Sequence, residues 1–263
     1  IFAPDVCCVL DNVSTNTFGS SVSSVTSAGC IAKKDMSLNT LDRSLVGYWD
    51  METLTSSGLL KDLSGNGNDG VFSGGMSSTG SLTGGIVGKG MSFNGGANYI
   101  EIPNSNQTGS ILKPDSYTVS VTFSSRSSSS FNRFIIQSGK DWNNGAGYLI
   151  RILEPSRKLN INNFYSIGNY GVGTSTQITS NIFYHVTITY DADFNFKGYI
   201  NGTLFYTGKG KSKPYYDMTK IRIGQTTDGF WGYTFNGIID DIKIYSRALS
   251  DSEIKQQSKI VGF

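Results

Sequence analysis

In the segment Asp62-Leu-Ser-Gly-Asn-Gly-Asn-Asp-Gly70, oxygen-bearing side chains recur at Asp62, Ser64, Asn66 and Asn68. That spacing wraps oxygens around a hard cation. Ca²⁺ takes about six to eight oxygens at ~2.3–2.6 Å, and Gly65 and Gly67 permit the tight turns that present carbonyls as well. The same residues also describe an ordinary Asx-rich turn. An EF-hand is excluded, because Ser73 occupies the twelfth loop place and no helices flank the segment. A second carboxylate of interest is Asp240 in Gly237-Ile-Ile-Asp-Asp-Ile-Lys-Ile-Tyr245. In an extended strand it shares a face with Ile242 and Ile244 and points inward, where it needs a cation or several donors. Ca²⁺ held by the 62–69 loop is the expected partner.

Sugar recognition asks for an aromatic platform and a few polar groups. Candidate platforms are Trp142 in Lys140–Gly147, Tyr170 in Asn163–Gly173, and Phe230 and Trp231 in Thr226–Tyr233, all in Gly-rich segments that read as loops. The plainer role for these rings is to close the ends of the fold. Glycoside hydrolysis needs two carboxylates at a set separation. No alternating acidic strand is present: Glu101, Glu154 and Glu253 are isolated in sequence, and Asp240 and Asp241 face opposite ways. His185 is the only histidine and sits on a strand pattern, where a core role is expected rather than that of a base. The reading is a non-enzymatic one.

The elements that position these residues are β-strands. Short β-rich runs recur from Leu45–Met51 to Gly237–Tyr245, broken by Gly, Asn and Ser. In Phe183–Tyr190, Tyr184, Val186, Ile188 and Tyr190 fall on one face and His185, Thr187 and Thr189 on the other, the period of a half-buried strand. The one credible helix covers Leu249–Gln257, with Ser250 as cap and Glu253 in the capping-box position. The pattern predicts an all-β fold, a two-sheet antiparallel sandwich (residues 45–263) with a short C-terminal helix. Residues 1–44 form a small N-terminal extension.

Composition narrows the partners. Gly is 32 of 263 residues and charged residues are 16 %, against a usual ~25 %. With 15 Phe and 14 Tyr, the chain still has the apolar surface for a core. A net charge of +2 without runs of one sign leaves no footprint for nucleic acid. No apolar run is long enough to span a bilayer as a helix. The start at Ile1 rather than Met suggests removal of an upstream signal or anchor. All three cysteines, Cys7, Cys8 and Cys30, lie in the extension. Cys30 bonded to Cys8 or to Cys7 closes a loop of roughly 20 residues, worth ~3 kcal/mol. The Ser/Thr/Asn/Gly-rich surroundings fit an extracellular or cell-surface setting, where such a bond persists.

A resemblance now carries weight. From about Leu45 to Ile254 the chain resembles the laminin G-like jelly-roll domains of the concanavalin A-type lectin/glucanase superfamily. It shares, in family order, Gly47-Tyr-Trp-Asp-Met-Glu52, Asp62-Leu-Ser-Gly-Asn-Gly-Asn68, Gly90-Met-Ser-Phe-Asn-Gly95, Tyr99-Ile-Glu-Ile-Pro103, Tyr184-His-Val-Thr-Ile-Thr-Tyr190, Tyr199-Ile-Asn-Gly202 and Gly237-Ile-Ile-Asp-Asp-Ile-Lys-Ile-Tyr-Ser-Arg-Ala-Leu249. The resemblance implies a jelly roll and a structural Ca²⁺ held by Asp62, Asn66, Asn68 and Asp240, with Glu52 as a further ligand. It implies recognition of carbohydrate or of an extracellular protein. Where the family often has Trp-His, this chain has Tyr184-His185. Residues 1–44, with the stapled Cys motif leading into Lys34-Asp-Met-Ser-Leu-Asn-Thr40 and Gly47-Tyr-Trp-Asp-Met-Glu52, also resemble the junction in bacterial pilin-like proteins bearing a C-terminal laminin G-like domain, which implies assembly into a surface fibre.

Overall fold

The computed structural model describes residues 42–103, 110–126, 130–139, 147–166, 169–216, 220–227 and 233–263. Cys7, Cys8 and Cys30 lie outside these residues. Residues Ser44–Phe263 form one compact unit. Its described residues fold into two antiparallel sheets and one short C-terminal helix, the sandwich that the alternation predicts.

The eight-stranded sheet runs in the order β13 (Thr203–Lys209), β12 (Asn195–Ile200), β11 (Phe183–Tyr190), β6 (Tyr117–Ser125), β15 (Asn236–Tyr245), β4 (Lys89–Asn94) and β3 (Leu82–Gly84). Strand β1 (Leu45–Trp49) pairs with the far half of β15. The seven-stranded sheet is ordered β10 (Asn169–Gln177), β9 (Lys158–Ser166), β8 (Gly147–Leu153), β7 (Arg133–Ser138), β14 (Ile221–Ile223), β5 (Tyr99–Ile102) and β2 (Val71–Ser73). Side chains alternate along each strand, so one face of each sheet supplies the core. Trp49, Phe93, Tyr117, Val119, Phe123, Ile150, Ile161, Ile188, Ile223, Ile239, Ile242 and Ile244 meet there, each almost fully buried.

Helix α1 (Asp251–Ile260) begins as the sequence predicts, with a capping box of Ser250 and Glu253. It covers the outer face of the eight-stranded sheet. Leu249 and Ile254 pack with Leu45, Tyr199 and Tyr245, and the Gln257 amide donates to the Tyr245 hydroxyl at 2.7 Å. The outer residues His185, Thr187 and Thr189 of β11 are therefore buried as well. The alternation is correct, but a half-buried strand is not, because the helix and the terminal Phe263 ring lie over that face.

Two strands escaped the sequence pattern. Leu82–Gly84 is only three residues long and ends in glycine. Tyr170, read from sequence as part of a loop, lies on β10, where Gly and polar residues conceal the ladder with β9. A β-bulge in β15 makes a third difference. Asp240 pairs with Thr122 and Lys243 with Ser120, so an additional residue intervenes. Asp241, at φ +42°, takes up that residue. The bulge shifts the parity of the strand: Ile239 and Ile242 both face the core, and Asp240 shares the outer side with Thr122 and Lys243 rather than the face of Ile242 and Ile244.

Candidate functional site

The predicted cation ligands occupy two separate places. The first is the 62–70 loop. The Asp62 carboxylate accepts from the amides of Tyr48 (3.0 Å), Ser64 (2.9 Å) and Asn68 (3.0 Å). The Asn68 side-chain amide donates to the Val46 carbonyl at 3.1 Å, and that of Asn66 donates to the Leu45 carbonyl at 3.3 Å. These are the contacts of an Asx-rich turn stapled to β1. Sequence left that role open beside cation ligation.

The second place is the turn Gly85–Lys89. Asp240 is fully buried, and its Oδ2 accepts from the amides of Ile86 (3.0 Å) and Val87 (3.5 Å) while Oδ1 accepts from Asp241 (2.9 Å). These three donors are backbone amides of the turn and of β15 itself. Glu52 reaches the same turn, its Oε2 accepting from the Lys89 amide at 2.9 Å. A Cβ on Gly85 would lie 2.4 Å from Asp240 Oδ2, and one on Gly88 2.9 Å from either Glu52 carboxylate oxygen. Two carboxylates from distant parts of the chain thus converge on a turn whose glycines leave room for them, Gly88 at the left-handed φ of +68°. Close by, the Tyr48 hydroxyl donates to Asp241 Oδ1 at 3.1 Å. Burial, with Asp241 and Asp50 nearby, raises the Tyr48 hydroxyl far above the ordinary tyrosine range. Among the described residues no group of three or more His, Cys, Asp or Glu gathers as a metal cluster.

Trp142, Phe230 and Trp231 lie outside the described residues, as does the Tyr170 side chain. After β14 the chain forms an arm whose limbs pair at Gln225 and Thr234. The Thr226 amide donates to the Tyr233 carbonyl at 3.2 Å, and the Phe235 amide to the Gly224 carbonyl at 2.8 Å. The base of the arm crosses the outer face of the seven-stranded sheet: the Thr227 amide donates to Gln137 Oε1 at 3.2 Å, and the Thr227 hydroxyl donates to the Gly139 carbonyl. Gly139 is also where the 140–146 segment carrying Trp142 departs. That segment returns at Gly147, whose amide donates to the Tyr215 carbonyl, while the Tyr215 amide donates to Phe164 at the end of β9. Tyr170, on the adjoining strand, pairs in register with Phe164. The connections carrying Trp142 and Tyr170 therefore leave one end of the sheet, whereas Thr227 and Tyr233, the described residues on either side of Phe230 and Trp231, touch its outer face at Gly139 and Phe134.

The face itself is built by cross-strand register. One row reads Glu101, Arg222, Gln137, Leu149, Asn162 across β5, β14, β7, β8 and β9; the next reads Phe134, Arg151, Asn160. Phe134, Leu149 and Phe164 make an apolar floor on which Tyr233 packs, its ring centroid 5.3 Å from that of Phe134. Around the floor, Arg151 Nε donates to Asn160 Oδ1 at 2.8 Å and lies over the Phe134 ring. The one carboxylate of the long row, Glu101, is held by Lys220 (2.6 Å) and Arg222 (3.2 Å). Sequence reading did not single out Gln137, Arg151, Asn160, Asn162 or Tyr233. The alternation Asn160-Ile161-Asn162 was the available signal, for it places amides opposite a core isoleucine.

The family model for the concanavalin A-like lectin/glucanase superfamily, of laminin G type, matches residues 94–255, more than half of the chain. The chain belongs to this superfamily. A search of curated proteins finds no match. Among solved structures, domain 4 of an extracellular arabinanase from Geobacillus stearothermophilus, solved with arabinotriose, has a TM-score of 0.61 at 18 % identity. The match covers 82 % of this chain and 98 % of that domain. The binding domain of Paraclostridial Mosquitocidal Protein 1 reaches 0.66 at 20 % identity, over 83 % of this chain and 52 % of that one. A botulinum neurotoxin type C structure, described as entering cells through two ganglioside molecules, gives 0.64 at 19 %, over 86 % and 53 %. This lectin-like chain spans about half of the two toxin chains, and the likenesses show a shared fold.

Proposed function

We propose that this lectin-like domain is a non-catalytic carbohydrate-recognition module, presented outside the cell, that binds on the outer face of its seven-stranded sheet. One observation carries the reading. An apolar, partly aromatic floor is bordered by a row of amide and guanidinium groups, and Gly139 and Thr227, which precede the segments carrying Trp142 and Phe230-Trp231, meet at its margin. A sugar packs its apolar face on the half-buried Tyr233 ring that covers this floor and satisfies its hydroxyls at the polar border. Binding without hydrolysis is supported by the state of the carboxylates. Glu101 is tied to two cations on this face, and Glu154 lies between Arg133 and Arg157. The arabinotriose in the arabinanase domain and the gangliosides of the neurotoxin are in keeping with a saccharide ligand.

A structural Ca²⁺ belongs to the same proposal, at the Gly85–Lys89 turn. Glu52 and Asp240 would hold it together with backbone carbonyls, since a hard cation takes oxygen ligands of both kinds. The ion would supply rigidity there rather than chemistry.

A glycan array, followed by calorimetric titration of the best ligand, tests the reading. Arg151→Ala and Trp231→Ala are each expected to weaken binding at least about tenfold. Affinity unchanged in both variants moves the site elsewhere, and release of reducing sugar from the bound glycan replaces recognition with catalysis.

A further inference from the structure

Phe131 and Tyr233 make an accessible corner above the floor. Phe131 is 49 % exposed and Tyr233 half-buried, and their rings meet edge to face at 6.3 Å and 79°. The Tyr233 ring and the half-buried Arg151 guanidinium both lie within 5.5 Å of the Phe134 ring centroid, so a cation stands close to the aromatic platform. Exposed Lys158 extends the charge. Across β8 and β9, Arg151 pairs with Asn160 and Leu153 with Lys158, while Ile152 and Leu159 face the core. Arg151 and Lys158 are therefore diagonal neighbours on the outer face. Basic residues outnumber acids in this half of the sheet. Residues 133–177, which hold β7 to β10, contain five basic and two acidic residues, an excess of three in a chain whose net charge is +2. Among the described residues of that stretch the one acid, Glu154, is sealed from water between Arg133 and Arg157.

We infer, on the saccharide reading of this face, that the corner takes an acidic sugar, one whose anionic group is a carboxylate or a sulfate. A pyranose laid on Tyr233 and flanked by Phe131 turns that group toward Arg151, whose planar guanidinium suits either oxyanion. Lys158 attracts the next acidic unit along the glycan. All four side chains keep solvent exposure, so binding needs no movement of the chain.

A glycan array of matched pairs is the test: oligogalacturonates beside their methyl esters, sialylated glycans beside their desialylated parents, and sulfated galactans beside their desulfated forms. Binding is expected on acidic members, and the pair that responds identifies carboxylate or sulfate as the group. In calorimetric titration the acidic member should bind at least about fivefold more tightly at low ionic strength, by a margin that narrows as salt rises. Arg151→Gln and Lys158→Gln should each reduce that margin, and the double variant should abolish it. Lys259→Gln, at an exposed position of α1 over the opposite sheet, should keep it. Thermal melting checks that the variants fold. Acidic members that bind no more tightly than their neutral partners overturn the inference, as does a margin that survives the double variant or vanishes with Lys259→Gln; the saccharide reading then stands. Failure to bind any glycan, acidic or neutral, overturns both.

Discussion

The indole Nε1 of Trp49 donates to the backbone carbonyl of Asn68 at 2.9 Å, within the core. The bond ties the turn at 62–70 to β1, and the Asp62 carboxylate completes the tie through three backbone amides. Removing either end leaves buried groups unmatched. Asp62→Ala should cost about 2–4 kcal/mol, since several amides lose their acceptor at once. Trp49→Phe should cost about 1–3 kcal/mol through the orphaned carbonyl and the lost volume. Asn66→Ala, at an exposed position, should remain within about 0.5 kcal/mol. Urea denaturation of the three variants checks the order; an Asn66 effect as large as that of Asp62 contradicts it.

Calcium removal addresses the Gly85–Lys89 turn. If Glu52 and Asp240 hold the ion, Ca²⁺ at about 100 times its dissociation constant adds ~2.7 kcal/mol. For a domain of this size that is a rise of several degrees in melting temperature. Glu52→Gln should eliminate the difference between melts in Ca²⁺ and in chelator, whereas Asn66→Ala should keep it. Identical melts of the unsubstituted protein in the two buffers argue against the ion.

His185 gives the fold an acid limit. Burial, with Lys243 nearby, pulls its imidazole down to about 3 from an ordinary 6.5. Thr122 and Thr187 hydroxyls sit against its two ring nitrogens. Between those two values the unfolded chain binds a proton that the folded chain does not, so stability is whole above pH 6.5 and falls as the pH drops toward 3. Each pH unit in that window removes up to ~1.4 kcal/mol. His185→Gln should flatten the dependence of chemical denaturation on pH between 6.5 and 4, and an unchanged slope assigns the acid limit to other groups.

Ion pairs should differ sharply by burial. Glu154 lies against Arg133 Nε at 3.0 Å and Arg157 Nη1 at 3.2 Å, all three nearly sealed from water. Glu154→Ala leaves two buried guanidinium groups without their carboxylate and should cost about 3–5 kcal/mol. The exposed pair of Lys213 and Asp115 should contribute about 0–1 kcal/mol. Comparable losses from Glu154→Ala and Asp115→Ala contradict this ordering.

The sequence by itself determined the layered β architecture, because alternation in segments such as Phe183–Tyr190 has a period that only a strand satisfies. It also determined the terminal helix, since the cap formed by Ser250 and Glu253 is local chemistry. Tertiary structure decided what local pattern could not express. A single inserted residue at Asp241 reversed the side on which Asp240 stands, and strict alternation carries no mark of a bulge. The partner of Asp240 came from a turn more than 150 residues earlier in the chain. The proposed recognition face likewise exists only through register. Arg151 and Lys158 belong to separate strands, and it is the hydrogen-bonded ladder between β8 and β9 that places their charges on one surface.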